Sequence, residues 1–270
     1  MLTGPNQKVE TSTVWVDSHC HFDFDVFSHD FDAELARCRA AGVSTIVVPG
    51  TTSARWERLQ ALAERYPMIQ PAFGLHPYFI EEHREADLAR LATLLQSTRC
   101  VAVGECGLDY QLPHYDAKAQ QYWLEAQVEL AQVAELPLIL HARKCHDTLL
   151  ATLRRRGFQR GGILHAFSGS QQQAYQWIEA GFKLGFGGVL TFERARKIRR
   201  LAATLPVESI VLETDAPDMP PAFLARGEVN HPSYLPRIGE TLAALRDDSV
   251  TALAEQMRQN VQEALRLSLK

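Results

Sequence analysis

The stretch Val14-Trp15-Val16-Asp17-Ser18-His19-Cys20-His21 carries an apolar run directly into two histidines that are one residue apart. A run rich in β-branched and aromatic residues is typical of a strand. Because side chains alternate between the two faces of a strand, His19 and His21 are expected to point the same way. Two imidazoles on one face form half of a metal site. Histidine pairs of this kind are common, so the prediction depends on further ligands elsewhere.

Short apolar runs recur along the chain, and each is followed by a longer segment with helical spacing. The predicted strands are 14–19, 44–48, 69–75, 100–105, 137–141, 162–165, 182–186 and 209–214. The predicted helices are 32–41, 54–66, 87–96, 117–134, 146–156, 171–180 and 194–205, with terminal helices after residue 233. A strand–helix unit repeated eight times predicts an α/β fold of the (β/α)8 TIM-barrel type. We expect one domain over 14–270 and an N-terminal extension over 1–13, to which no role is assigned.

Composition limits the possible functions. A chain of 270 residues with 46% hydrophobic and 22% charged residues is ordinary for a globular enzyme. The net charge of −4 argues against a protein that coats nucleic acid through its overall charge, although a local basic patch is compatible with it. Five cysteines without regular spacing argue against a disulfide framework and a thiolate zinc site. With no apolar signal or membrane-spanning stretch, we expect a cytoplasmic protein without membrane contact or an obligate protein partner.

Residues able to bind metal lie at or just past the ends of the predicted strands. In a TIM barrel the loops after the strands converge on the face that carries the active site. The candidates are His19, His21, His76, Glu105, His141, His165 and Asp215. Glu105 follows an apolar run, where a carboxylate is costly to bury without a metal or an ion pair. Four further histidines are expected mainly at the surface or in loops: His29, His83, His114 and His146.

Several candidates have a structural alternative. His141 and His165 could be core histidines with satisfied hydrogen bonds. His76 either contacts substrate or packs. Glu213, two residues before Asp215, faces the same way if the strand continues, but it could instead face the helices or pair with a basic residue.

Six segments together, in this order, closely resemble the TatD family of metal-dependent hydrolases. They are Asp17-Ser18-His19-Cys20-His21, Gly74-Leu75-His76-Pro77, Val103-Gly104-Glu105-Cys106-Gly107-Leu108-Asp109, His141-Ala142-Arg143, His165-Ala166-Phe167-Ser168-Gly169 and Glu213-Thr214-Asp215-Ala216-Pro217. The segments 185–192 and 213–220 look most like the YjjV branch of the family. The resemblance runs from about Val14 to the C-terminus. It implies a TIM-barrel hydrolase of the amidohydrolase type that uses two or more divalent ions, with the phosphodiester bonds of DNA as the first candidate substrate.

The resemblance also implies a ligand set for two divalent ions. By position, the ligands are His19, His21 and Asp215 for the first ion, His141 and His165 for the second, and Glu105 as a bridge between them. Imidazole and carboxylate ligands without thiolate suit Zn²⁺, Mn²⁺ or Mg²⁺. A third ion is conceivable, with His76, Asp17 and Asp23 as nearby ligands.

Two adjacent divalent ions can activate a shared water and stabilise an in-line displacement at phosphorus. In that scheme Glu105 sets the separation of the ions, and Asp215 is the candidate general base. Arg143 is the candidate for binding phosphate, because guanidinium binds phosphate oxygens bidentately. The basic segment 194–200 is either a phosphate site or a solvated helix face, and the run 154–156 is expected to be surface.

Two other functions remain open. Barrels with this ligand set also hydrolyse small-molecule esters, amides and phosphoesters, because loop residues choose the substrate. A barrel kept only as a binding module is the second alternative, and the presence of every expected ligand argues against it. We therefore expect a divalent-metal-dependent hydrolase, and first of all a deoxyribonuclease.

Overall fold

The described residues form a cylinder of parallel strands surrounded by helices. The computed structural model describes residues 13–268, so the predicted extension 1–13 lies outside the described residues except for its last position. The strands are β1 (Trp15–Asp17), β2 (Val43–Pro49), β3 (Ile69–Ala72), β4 (Val103–Asp109), β5 (Leu138–Arg143), β6 (Gly162–Leu164), β7 (Phe182–Phe186) and β8 (Ile210–Leu212). The helices are α1 (Phe31–Ala40), α2 (Trp56–Arg65), α3 (Glu85–Ser97), α4 (Ala117–Val133), α5 (His146–Arg155), α6 (Gln171–Glu179), α7 (Arg196–Thr204), α8 (Leu235–Arg246) and α9 (Val250–Leu265). Strands and helices alternate from β1 to α8, which confirms the predicted TIM barrel.

Hydrogen bonds connect the strands in sequence order around the barrel. β1 to β3 pair with one another, and so do β4 to β8. A single parallel bridge joins the two groups beside β3 and β4. At the remaining seam, the amide of Ser18 donates to the carbonyl of Leu212 at 3.0 Å, and the amide of Asp215 donates to the carbonyl of His19 at 2.9 Å. The first and last strands therefore meet where they carry candidate ligands.

Small and branched apolar side chains fill the barrel interior. Parallel strands that are buried on both faces use such residues at nearly every position. The interior cluster consists of Val16, Val47, Ala72, Val101, Ala102, Ile139, Ile163 and Val211 with Val261, Ala264 and Leu265 of α9. Asn260 of α9 donates to the carbonyl of Ile210 at 2.6 Å, at the start of β8. α9 thus closes the end of the barrel at which the strands begin.

Side-chain caps mark the start of several helices. Asp30, Asp116 and Ser249 accept hydrogen bonds from first-turn amides of α1, α4 and α9, as helix N-caps do. α8 and α9 are the terminal helices predicted after residue 233. Across residues 13–268, we find no helix with both the length and the apolar character that a membrane span requires.

β4 is longer than predicted, since it continues past Glu105 to Asp109. Gly107 explains the difference. Its φ is +149°, and a Cβ there would lie 2.0 Å from the carbonyl oxygen of His141 in the neighbouring strand. Only glycine allows β4 and β5 to approach so closely. The sequence does not show this approach of β5, and the predicted strand ended at Glu105.

Trp15 of β1 packs directly against α8 at Gly239. A Cβ at Gly239 would lie 2.1 Å from a ring carbon of Trp15. We expect Gly239→Ala to lower the free energy of unfolding by about 1–3 kcal/mol, because a packed core does not accept the extra methyl group. Urea denaturation measures the change. Glu240→Ala, at the next and exposed position of α8, is the control and should lie within about 0.5 kcal/mol of the unmodified chain; equal losses in both variants would contradict the packing explanation.

Candidate metal centre

Glu105 lies at the centre of a cluster of histidines and is 1% exposed. Its Oε2 lies 3.0 Å from Nε2 of His19 and 3.6 Å from Nε2 of His21. Its Oε1 lies 3.2 Å from Nε2 of His76 and 3.0 Å from Nδ1 of His141. Two ligand atoms that are each about 2.1 Å from one ion, at tetrahedral angles, lie about 3.4 Å apart. The spacing therefore suits a cation at each oxygen of Glu105.

Asp215 and His165 extend the cluster toward the seam of the barrel. Oδ1 of Asp215 lies 3.6 Å from Nε2 of His19 and 3.5 Å from Nε2 of His21, and Oδ2 lies 3.6 Å from Nε2 of His165. The rings of His19 and His165 stack with their centroids 3.7 Å apart. Asp215 has a φ of +54°, a conformation that is uncommon for a residue other than glycine. This turn directs the carboxylate back toward the histidines that follow β1.

All six predicted metal ligands belong to groups of donor atoms that lie within 4.8 Å of one another. The groups are His19, His21 and Glu105; His19, His165 and Asp215; and His76, Glu105 and His141. The grouping differs from the predicted division in two respects. His165 groups with Asp215 rather than with His141, and His76, which was predicted to contact substrate, groups with His141.

Buried polar atoms within these groups suit a bound cation. Nε2 of His19, Oε2 of Glu105 and Oδ1 of Asp215 are buried and have no hydrogen-bond partner in the described part of the chain. Nε2 of His19 and Oε2 of Glu105 are 3.0 Å apart, but their angles are not those of a hydrogen bond. Buried polar atoms are almost always satisfied in folded proteins. A divalent ion would satisfy all three.

The charges of the cluster lead to the same conclusion. Burial lowers the pKa of His19 well below its usual value and that of His21 to about 4, so both rings are neutral, the form that binds metal. Burial raises the pKa of Asp215 to about 8. Burial also disfavours the charged form of His165, but Glu213 and Asp215 outweigh it and raise the pKa of His165 to about 10. Glu213 and Asp215 therefore favour positive charge at His165, and a divalent ion bound there would replace the proton of the ring.

Two carboxylates that were not predicted as ligands orient the histidines. Oδ2 of Asp109 lies 2.9 Å from Nε2 of His141, so Nδ1 of this ring faces the centre of the cluster. Oε1 of Glu213 lies 3.0 Å from Nδ1 of His165, so Nε2 of that ring faces inward. Carboxylate–histidine pairs of this kind fix the orientation of metal ligands. The sequence could have indicated both residues. Asp109 lies four residues after Glu105, and Glu213 lies two residues before Asp215. At an even spacing in a strand, each would share a face with a candidate ligand.

Asp17 has a structural role at the seam between β1 and β8. Its Oδ1 accepts hydrogen bonds from the amides of His19 and Thr214, at 3.2 and 3.0 Å. Its Oδ2 accepts a hydrogen bond from the hydroxyl of Thr214 at 2.5 Å. Both oxygens are therefore occupied, and Asp17 is a poor candidate for binding a third ion. Asp23 is buried, and neither of its oxygens has a partner among residues 13–268.

His83 and His146 were predicted mainly at the surface or in loops. His83 does lie in a loop and His146 is the first residue of α5, but both are buried. They are 5% and 7% exposed. Nε2 of His83 lies 2.9 Å from the carbonyl oxygen of His76, and its ring meets Trp123 edge-on. The ring of His146 packs against Phe167. An isolated histidine adds nothing to an apolar pattern, so its burial could not be read from the sequence.

A cavity of about 620 Å³ opens onto the cluster at the end of the barrel where the strands finish. His76 and Arg143, the two residues predicted to bind substrate, both line it. Nη1 of Arg143 lies 3.2 Å from Oδ2 of Asp109, and the side chain is 44% exposed. The aromatic side chains of Phe24 and Tyr78 form part of the wall. The cavity thus gives a substrate access to the candidate metal ligands.

The sequence matches the family described as TatD related DNase over residues 16–266. The chain belongs to this family. The uncharacterized metal-dependent hydrolase YjjV of Escherichia coli (strain K12) is 42% identical over 248 residues, which cover 91% of this chain and 95% of that protein. The 3'-5' ssDNA/RNA exonuclease TatD of Erwinia billingiae is 33% identical over 249 residues, which cover 89% and 95%.

A solved structure agrees with these sequence relatives. The crystal structure of Escherichia coli YjjV superposes with a TM-score of 0.91 at 40% identity, and the match covers 94% of this chain and 98% of that one. Together the matches confirm both the family that the sequence motifs resemble and the predicted class of enzyme, a metal-dependent hydrolase.

Asp109→Asn tests whether the carboxylate that orients His141 matters for metal binding. Asparagine keeps the shape of the side chain but not its charge, so we expect the affinity for a divalent ion to fall about 10- to 100-fold. Competition with a chromogenic chelator measures this affinity. Glu129→Gln, an exposed substitution on α4, is the control. An unchanged affinity in Asp109→Asn would show that His141 needs no such partner.

Proposed function

We propose that this chain is a divalent-metal-dependent nuclease that cleaves phosphodiester bonds of DNA. The observation that carries the proposal is the geometry of Glu105, whose two oxygens each face a different pair of histidines. A carboxylate in this arrangement suits two neighbouring ions that share one ligand, as in many enzymes of phosphodiester hydrolysis. The relatives named as TatD are exonucleases of single-stranded DNA and RNA, which supports a nucleic-acid substrate.

We infer two ions per chain, each of them Zn²⁺, Mn²⁺ or Mg²⁺. By the family resemblance, the proposed ligands are His19, His21 and Asp215 for the first, His141 and His165 for the second, and Glu105 between them. In the structure His165 groups with His19 and Asp215, so its assignment to the second ion rests on the resemblance alone. His76 is close enough to Glu105 and His141 to add a ligand on the second side. When bound, such ions activate a water for attack and neutralise the charge that develops on the phosphoryl oxygens.

Asp215 is the proposed proton acceptor. It lines the cavity, and its two oxygens face different histidines. Burial raises the pKa of Asp215, and a divalent ion bound beside it would favour the ionised form, which is the form that accepts a proton. Asp215 would accept the proton of the attacking water at Oδ1 or Oδ2, while Glu213 keeps the adjoining ring of His165 in position.

Arg143 is proposed to bind the oxygens of the phosphate that do not react. One N–H group of its guanidinium faces Asp109, which holds the side chain at the edge of the cavity. The guanidinium has five N–H groups, so others remain for a substrate.

His76 accepts a hydrogen bond at Nδ1 from the amide of Tyr78 at 3.0 Å, which directs its Nε2 toward Glu105. We also propose that 14–270 form one domain, since the family match spans nearly all of it.

The proposed activity is tested by metal analysis followed by hydrolysis assays. We expect purified protein to contain divalent ions, and we expect chelator-treated protein to regain cleavage of single- or double-stranded DNA on addition of Zn²⁺, Mn²⁺ or Mg²⁺. Cyclic amides and small esters, assayed in parallel, are the control substrates. Hydrolysis of these compounds with no cleavage of DNA would contradict a nuclease and favour a small-molecule hydrolase. Metal-loaded protein that hydrolyses none of them would favour a binding module.

Asp215→Asn tests the proton acceptor. The variant keeps an oxygen ligand but loses the base, so we expect kcat to fall at least about 10³-fold while most of the bound metal is retained. Product formation and metal content are measured on the same sample. Asp32→Asn, at an exposed position of α1 that pairs with Arg65, is the matched control. Normal turnover in Asp215→Asn would overturn the assignment.

A further inference from the structure

A second pocket lies beside the metal-site cavity, on the same end of the barrel. It has a volume of about 400 Å³, and the loops after β5 and β6 and the first turn of α7 line it. Arg143 and Ala166 line the large cavity, whereas Lys144 and Ser168 line the small pocket. Residues that are adjacent or two apart in the chain have Cα atoms within about 7 Å. The two linings are therefore close neighbours.

Basic side chains dominate the charge of this pocket. Lys144 and Lys197 line it, and both are exposed. Nζ of Lys197 donates to the carbonyl of Ser168 at 2.7 Å, which fixes the ammonium group at the wall. Lys197 belongs to the basic segment 194–200, for which the sequence allowed two interpretations, a phosphate site and a solvated helix face. Asp147 also lines the pocket, and its Oδ1 accepts a hydrogen bond from Nε2 of Gln173 at 2.9 Å.

The N-terminus of α5 forms another part of the wall. Cys145, His146, Asp147 and Thr148 line the pocket, and they are the N-cap and the first three residues of this ten-residue helix. No side chain at the N-cap accepts a hydrogen bond from the first-turn amides. Free first-turn amides and the helix dipole favour an anion at such a position.

His146 is an independent sign of a missing ligand. It is 7% exposed, and neither ring nitrogen has a hydrogen-bond partner among the described residues. Burial lowers the pKa of His146 to about 4, so at pH 7 the ring is neutral and carries one N–H donor. A buried donor without a partner is costly. A ligand oxygen in this pocket would give His146 the partner that the described chain does not.

We propose that this pocket is a second phosphate-binding subsite, which holds a phosphate group of the nucleic acid beyond the one that is cleaved. The proposal rests on the nuclease function proposed above. Lys144, Lys197, the first turn of α5 and His146 supply the donors to the phosphoryl oxygens. The subsite binds and positions the strand, and no bond is made or broken there. The phosphate is either an internal phosphodiester or a terminal monoester.

A substrate with one phosphate and a substrate with several phosphates distinguish binding at the metal site from binding at the proposed subsite. Bis(p-nitrophenyl) phosphate can occupy only the metal site, whereas a thymidine oligonucleotide can reach both. With metal-loaded protein, we expect Lys197→Gln and Lys144→Gln each to raise the ratio of the oligonucleotide KM to the bis(p-nitrophenyl) phosphate KM about three- to tenfold, the loss of one charge-assisted contact. Arg154→Gln removes an exposed cation from the other end of α5 and should leave this ratio unchanged.

Two further variants distinguish a binding role from damage to the fold. Asp147→Asn removes the negative charge from the wall, so we expect the oligonucleotide KM to fall. Damage to the fold would not improve binding. His146→Leu removes the buried donor and should raise the KM ratio. Thermal unfolding of His146→Leu shows whether this variant folds. If it does not fold, the lysine variants still test the proposal, because both lysines are exposed.

A direct measurement of binding tests the subsite independently of catalysis. Fluorescence anisotropy with a labelled oligonucleotide and chelator-treated protein measures Kd without turnover. A chain that cleaves no DNA, but whose Kd rises about three- to tenfold in the lysine variants, has the subsite without the proposed function. A chain that cleaves DNA with unchanged KM ratio and unchanged Kd in both lysine variants lacks the subsite. If the effect requires a phosphorylated end, the ligand is a terminal monoester; if all oligonucleotides show it, the ligand is an internal phosphodiester.

Discussion

One buried carboxylate shared by several imidazoles is the constraint on which the rest of this structure depends. An ionised glutamate at the position of Glu105 is too costly to bury without compensating partners. The fold supplies them from the strand ends, as His19, His21, His76 and His141. A parallel barrel suits this task, because all of its strands finish at the same end. The common direction of the strands thus brings together the histidines that compensate the charge of Glu105.

The outer contacts of the site show how little freedom its ligands have. Asp109 and Glu213 hold the rings of His141 and His165, and Asp17 ties β1 to β8 beneath them. The position of Glu213 also requires a glycine at position 185, because a Cβ at Gly185 would lie 2.3 Å from Oε2 of Glu213. A ligand set held in this way loses little conformational freedom when it binds an ion, and preorganisation of this kind favours tight binding.

The sequence predicted the barrel, and it predicted that metal-binding side chains lie at the strand ends, because both depend on local patterns. The eight strand–helix units follow from apolar spacing. His19 and His21 were expected on one face of the first strand, but β1 ends at Asp17 and both lie beyond it, where they still face Glu105. Other features depend on contacts between distant segments. The extension of β4 to Asp109 requires the close approach of β5 at Gly107, which no local pattern encodes. The burial of His146 depends likewise on Phe167 in the next loop. The grouping of the candidate ligands depends on distances across strands.

The closure of the barrel by α9 has a consequence for any long substrate. Apolar side chains fill the interior below the ligands, and Val261, Ala264 and Leu265 block the far end. The barrel is therefore a cup and not a tunnel. A polymer cannot pass through it, and whatever reaches Glu105 must leave by the mouth through which it came. A nucleic-acid strand must therefore approach the candidate ligands from this mouth alone, so the loops around it decide which part of the strand is held.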